Sequence, residues 1–217
     1  MRRDLIASAL AVLVFTVVFG LAYPLATTGV AQVLFPNKAD GSQVMSDGKV
    51  VGSRLIGQEF QKPVLRPDGK PRTDRDGNPV LEPDPRYFQS RPSATGYSPS
   101  VTFFSNLGPN QKELRNMFRA NLAAYLKRER PTDPGLRASD VPVDAVTTSA
   151  SGVDPHISQA NARIQARRVA RARNMPLARV NELIGNNTDG RALGFLGEPG
   201  VNVLELNLAL DKEGSPA

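Results

Sequence analysis

The stretch "SGVDPHIS", residues 151–158, puts a serine, an aspartate and the chain's single histidine, His156, within six positions. These are the residue types of a nucleophile, an acid and a general base. A serine triad needs its histidine placed between nucleophile and acid, with backbone donors aimed at the oxyanion. Ser151, Asp154 and His156 are too close in sequence to converge easily on a substrate, and the chain has no Gly-x-Ser-x-Gly elbow. A structural reading is favoured instead. Asp154 and Pro155 make a turn, Ser158 caps a following helix, and His156 bonds locally or meets a neighbour.

Other chemistries fail on context. Ser46 and Lys49 have the serine–lysine spacing of penicillin-binding enzymes, but Asp47-Gly48 between them signals a hairpin, and that motif needs a helix. Asp74, Asp76 and Asn78 alternate as in a calcium loop, yet Gly77 is misplaced and no glutamate closes the loop. With one histidine and no cysteine, zinc would rest on carboxylates that do not cluster at ligand spacing. No Gly-x-x-x-x-Gly-Lys-Ser/Thr phosphate loop occurs. The expectation is a chain with no catalytic residue, no metal site and no cofactor of its own.

The elements that position these residues follow from periodicity. In "NQKELRNMFRANLAAYLKRER" (110–130), Leu114, Met117, Phe118, Leu122 and Tyr125 recur at steps of three and four, and Pro131 ends the helix. A second helix starts near Ser158, and a third in "MPLARVNELIG", with Pro176 at its first position and Gly185 as its stop. Leu204, Leu206, Leu208 and Leu210 alternate, which predicts a final strand that closes a sheet covered by the helices. "SQVM" and "KVVGS" form a hairpin, after a linker that begins at residue 26. Residues 62–86 carry six prolines, two glycines and two Asp-Gly turns, a surface loop or small hairpin excursion.

Between Asp154 and Glu182 lie six arginines and no acid: Arg163, Arg167, Arg168, Arg171, Arg173 and Arg179. Arg163, Arg167 and Arg171 stack at steps of four. The formal net charge is +6 and the pI about 9.9. Nucleic-acid binding is disfavoured, because no aromatic residues interleave the arginines to stack on bases. A solvated face, or a contact surface for acidic groups of a partner, remains.

Leu5 to Tyr23 is uncharged and would span about 28 Å as a helix, close to the hydrocarbon core of a bilayer. Leu5, Phe15, Phe19 and Tyr23 belong to this anchor, and Pro24 disturbs the helix at its edge. A cleaved signal peptide ending at Gly29-Val30-Ala31 is the alternative, disfavoured by the length of the apolar run. Arg2 and Arg3 precede the segment, whereas the first basic residue beyond it is Lys38, so the positive-inside bias puts the N-terminus in the cytoplasm. The expected organisation is α+β. A transmembrane anchor at 1–25 precedes one mixed α/β extracytoplasmic domain at 26–217, with a loop insertion at 62–86.

The ordered stretches "GLAYPL", "GSRLIGQEF", "YFQSRPSATGYSP", "SNLGP", "DAVTTSASGVDPHISQANARIQARRVARAR" and "NTDGRALGFLGEPGVNVLELNLALD" closely resemble the C subunits of the bacterial potassium-transporting P-type ATPase, the Kdp complex. The resemblance implies a single-span inner-membrane accessory subunit. Its partners would be a channel-like potassium-binding subunit, a P-type ATPase subunit and a small fourth subunit. ATP and potassium would be used by the complex and not held by this chain, which lacks the Asp-Lys-Thr-Gly phosphorylation motif. Arg91, Ser93, Asn106, Asp154 and His156 are contact candidates because they lie in the distinctive stretches, with Arg163, Arg167 and Arg171 beside them. The family is also described as a catalytic chaperone that raises ATP affinity, which conflicts with an extracytoplasmic domain unless the effect is indirect. The chain departs from the family pattern at Gln61–Pro85 and at Phe103 and Phe104, where small glycines are usual. A free-standing exported hydrolase and a basic module for lipid or nucleic acid are the competing classes.

Overall fold

In the computed structural model, residues 1–101, 103 and 105–214 are described, so Phe104 lies outside them. The chain divides into two compact units, Met1–Ser53 and Arg54–Ala217.

The first unit opens on an unbroken helical rod, Arg2–Leu34, long and apolar enough to cross a membrane. It comprises α1 (Arg2–Val17), a π turn (Val18–Ala22) and α2 (Tyr23–Leu34). Pro24 does not end it. A proline lacks the N–H and crowds the carbonyl four residues back, and the widened turn just before it absorbs that clash. Residues 26–34, expected in a linker, therefore continue the helix, since no charge interrupts it before Lys38. Two polar side chains bond back to the rod: the Thr27 hydroxyl donates to the Tyr23 carbonyl at 2.8 Å and Ser8 to that of Asp4 at 2.7 Å. A helical turn α3 (Pro36–Ala39) precedes the antiparallel hairpin of β1 (Gln43–Ser46) and β2 (Lys49–Ser53). Asp47 and Gly48 both take positive φ, 49° and 75°, as a two-residue hairpin turn requires. Ser46 and Lys49 are thus paired across a turn and share no helix face.

In the second unit β3 (Gln61–Pro63) pairs antiparallel with β4 (Leu81–Pro83), and bridges Leu65–Pro71 and Thr73–Pro79 extend the excursion. The Asp74 carboxylate accepts the backbone N–H groups of Asp76 and Asn78, both at 2.9 Å, so the calcium-like spacing serves a turn. Then come α4 (Lys112–Glu129), β5 (His156–Ile157), α5 (Gln159–Ala172), α6 (Leu177–Asn186), β6 (Thr188–Asp189), β7 (Gly200–Asn202) and α7 (Val203–Lys212). The sheet order is β5-β7-β6, antiparallel throughout. Ser158 caps α5 as its sequence predicts, accepting the Asn161 N–H at 3.1 Å. In α6, Pro176 stands at the cap position and Gly185 inside the helix; Val180, Leu183 and Ile184 are buried, whereas Leu177 is exposed.

The final strand is a correction. Gly200–Asn202 alone is strand, and Val203–Lys212 is helix. Val203, Leu206, Asn207 and Leu210, spaced at three and four, are all buried, so the leucine alternation overlies a helical period. The Asn202 side chain decides between them by accepting the Glu205 N–H at 3.1 Å, an N-cap. The main core joins α5, α6 and α7 through Ala166, Val169, Val180, Leu183, Leu206 and Leu210; a smaller cluster under α4 holds Tyr125, Leu136 and Ala145.

Candidate functional site

Two loops meet around Arg91 and Asp154. Arg91 donates to the Asp154 carboxylate at 3.0 Å, to the Thr147 hydroxyl and the Thr148 carbonyl at 3.2 Å each, and to the Thr147 carbonyl at 3.4 Å. Ser93 donates to the Gly152 carbonyl at 2.6 Å while its oxygen accepts the N–H groups of Thr95 and Tyr97, each at 3.1 Å. The buried Tyr97 hydroxyl donates to the Arg91 carbonyl. Close approach at the seam selects glycine: a Cβ on Gly57 would lie 2.5 Å from the Tyr97 ring and 2.7 Å from the Asp154 carbonyl.

His156 extends this cluster. Its Nδ1 is 3.7 Å from Asp154, in the turn before β5, and its Nε2 is 3.0 Å from Asp189, on β6. Asp189 in turn takes Arg54 at 2.6 Å, and Arg54 reaches Glu205 at 3.2 Å. A chain of ionisable groups thus runs Arg91–Asp154–His156–Asp189–Arg54–Glu205. Burial resists ionisation of Asp154, but the His156 ring, the His156 backbone N–H and Arg91 outweigh it and hold the carboxyl below its ordinary value. The Asp154 carboxylate, with Asp189, raises the His156 pKa above its ordinary 6.5 against the effect of burial. Desolvation raises the Tyr97 pKa.

Among the described residues, no nucleophile is hydrogen-bonded to this imidazole. Ser151 instead accepts the Val153 N–H at 3.2 Å and sits 3.5 Å from Ser149. A cleft of about 200 Å³ opens alongside, with Glu59, Arg91, Ser93, Tyr97 and Asn121 in its wall. Its guanidinium is already engaged by the 147–154 loop.

The structure joins Arg91, Ser93, Asp154 and His156 into one cluster and leaves the other candidates apart. Asn106 is exposed, with a positive φ of 51°. Arg163, Arg167 and Arg171 are exposed along α5, where Arg167 pairs with Asp133 at 3.4 Å and Arg171 donates to the Pro131 carbonyl at 3.3 Å. The other three arginines of that basic run are engaged elsewhere. Arg168 is buried against Glu129, Arg173 against Asp211, and Arg179 bridges Glu182 and Glu213. Phe103 is 54% exposed. On the rod, Phe15 stacks on Phe19 at 5.9 Å between centroids, and Leu5 and Tyr23 are exposed.

Sequence reasoning missed Asp189, Arg54 and Glu205, whose separations from one another and from His156 leave no local pattern. The one available signal for Asp189 was its place in the distinctive "NTDGRALGFLGEP" stretch.

Comparison with known proteins agrees along almost the whole chain. The family model described as K+-transporting ATPase, c chain, matches residues 5–212. A relative from Bradyrhizobium diazoefficiens, called potassium-transporting ATPase KdpC subunit, is 47% identical over 98% of both chains. Bearers of the same description from Koribacter versatilis and Mycobacterium tuberculosis are 42% and 44% identical, covering 97% and 98% of this chain and 95% and 100% of their own. From residue 5 to residue 212, this chain belongs to the KdpC family, the c chain of the K+-transporting ATPase.

Proposed function

We propose that this chain is a non-catalytic accessory subunit of an ATP-driven potassium import complex, stabilising or regulating its channel-like and ATPase subunits. The match of the KdpC family across nearly the full length carries this reading. Its support from the site is that, among the described residues, the single imidazole is engaged by two carboxylates and no nucleophile is hydrogen-bonded to it. Potassium and ATP are handled by the partner subunits, one channel-like, one a P-type ATPase and one small.

The rod Arg2–Leu34 fastens the chain once through the inner membrane. Arg2 and Arg3 keep the N-terminus cytoplasmic, which places the 54–217 unit outside. Any effect on ATP affinity then runs through assembly and not through nucleotide contact.

Purification in mild detergent tests the role: the chain is expected to come out with large membrane subunits, and solitary purification with ester turnover would replace this reading with a hydrolase. Orientation is tested by a cysteine at the exposed position Lys70 (Lys70→Cys), the only thiol in the chain. An impermeant thiol reagent is expected to label it on intact spheroplasts; labelling only after lysis overturns the orientation.

A further inference from the structure

We infer that His156 is a proton-binding site: one bound proton ties the Asp154 turn to β6 through two carboxylates, and its departure loosens the β6–β7 segment. The geometry imposes this. A carboxylate is an acceptor only, and a neutral imidazole carries a single N–H. With Asp154 3.7 Å from Nδ1 and Asp189 3.0 Å from Nε2, a neutral ring turns a lone pair toward one carboxylate whichever tautomer it adopts. The imidazolium donates to Asp189 and faces Asp154 across 3.7 Å as an ion pair, beyond hydrogen-bond length.

The wider charge count agrees. Around the ring stand Asp154 on its own strand's approach, Asp189 on β6 and, beyond them, Arg91, Arg54 and the α7 residue Glu205. Three carboxylates against two guanidiniums leave one negative charge, which the imidazolium cancels. The remaining neighbour, β7, presents uncharged Gly200 to the ring; a Cβ there would lie 3.1 Å from His156 Cβ and 3.3 Å from Cδ2. The backbone of β7 therefore walls one side of the ring. The His156 side chain is 34% exposed, so protons exchange with solvent.

The raised pKa fixes the sign. The stabilisation is complete below the unfolded value near 6.5 and is lost as pH rises through the folded one. The exposure of this site to pH outside the cell rests on the orientation proposed above; the following test does not.

The full-length chain, purified in detergent without a polyhistidine tag and labelled at histidine Cε1, gives one imidazole resonance. Its titration midpoint is expected above 6.5, and Asp189→Asn is expected to lower it. Hydrogen exchange over residues 187–202 supplies the second readout. Protection factors, corrected for intrinsic exchange, are expected to fall severalfold between pH 5.5 and 8.5. In His156→Gln the two pH values should give equal protection. A midpoint at or below 6.5, or the same pH-dependent loss in His156→Gln, overturns the inference.

Discussion

Gln165 holds Gln89 by both backbone groups: the Gln89 N–H donates to Oε1 at 2.8 Å, and Nε2 donates to the Gln89 carbonyl at 3.0 Å. Asn207 repeats the arrangement on Phe88, at 2.9 and 3.0 Å. Two side-chain amides, from α5 and α7, thus satisfy backbone groups of a segment that pairs with no strand among the described residues. The same segment leads into Arg91 and Ser93, so the amide pair sets where the charged cluster begins.

Gln165→Leu leaves a buried donor and a buried acceptor on Gln89 without partners. Each orphaned group costs about 1–3 kcal/mol, so a loss of about 2–6 kcal/mol is expected. In a domain of this size that lowers the melting temperature by roughly 4–24 °C. Thermal melting monitored by circular dichroism measures it, and an unchanged melting temperature would show that water replaces the amide.

Glu129 makes the second strong case. It is 0% exposed and accepts Arg168 Nε at 3.1 Å with each oxygen, while Arg168 also donates to the Pro85 and Tyr87 carbonyls at 2.7 and 3.0 Å. Burial lowers the Arg168 pKa and the Glu129 charge opposes that effect. Glu129→Ala leaves a buried cation without its main anion and is expected to cost about 3–5 kcal/mol. The melting temperature should fall by about 6 °C or more, and a smaller change would mean that solvent reaches Arg168 in the variant.

How much of this was legible in the sequence depends on the range of each interaction. The anchor, the Asp47-Gly48 turn, the 110–130 helix and the Ser158 cap are local, and each was readable from a few adjacent residues. The last element was misassigned because leucines at 204, 206, 208 and 210 satisfy a period of two, while Val203, Leu206, Asn207 and Leu210 satisfy the helical one. A cap on Asn202 was the deciding cue, and it needs the backbone geometry to be seen. His156 was singled out for its neighbours in sequence, yet its shorter contact is Asp189, 33 positions away. Arg168 and Arg173 were counted with a basic face, but their partners come from α4 and α7.

Glycine positions separate steric need from conformational cost. A Cβ at Gly57 would stand 2.7 Å from the Asp154 carbonyl, a backbone atom that cannot swing aside. Gly185 lies in α6, and a Cβ added there would meet nothing within 4 Å. Gly57→Ala is expected to destabilise by about 1–3 kcal/mol through overpacking, whereas Gly185→Ala should stabilise by about 0.5–1 kcal/mol. Melting temperatures that move in the same direction would contradict this contrast.

The exposed arginines of α5 distinguish a contact surface from a structural charge. Arg163 and Arg171 are exposed, and the Arg167–Asp133 pair at 3.4 Å is half-exposed, worth at most about 1 kcal/mol. The triple change Arg163→Gln, Arg167→Gln and Arg171→Gln should therefore leave the melting temperature within about 4 °C. If this face meets acidic groups on a partner subunit, the triple variant should co-purify with the complex less well than the parent, and the parent's own retention should weaken as salt is raised. Equal retention of variant and parent from low to high salt would exclude these three arginines from the contact with the partner.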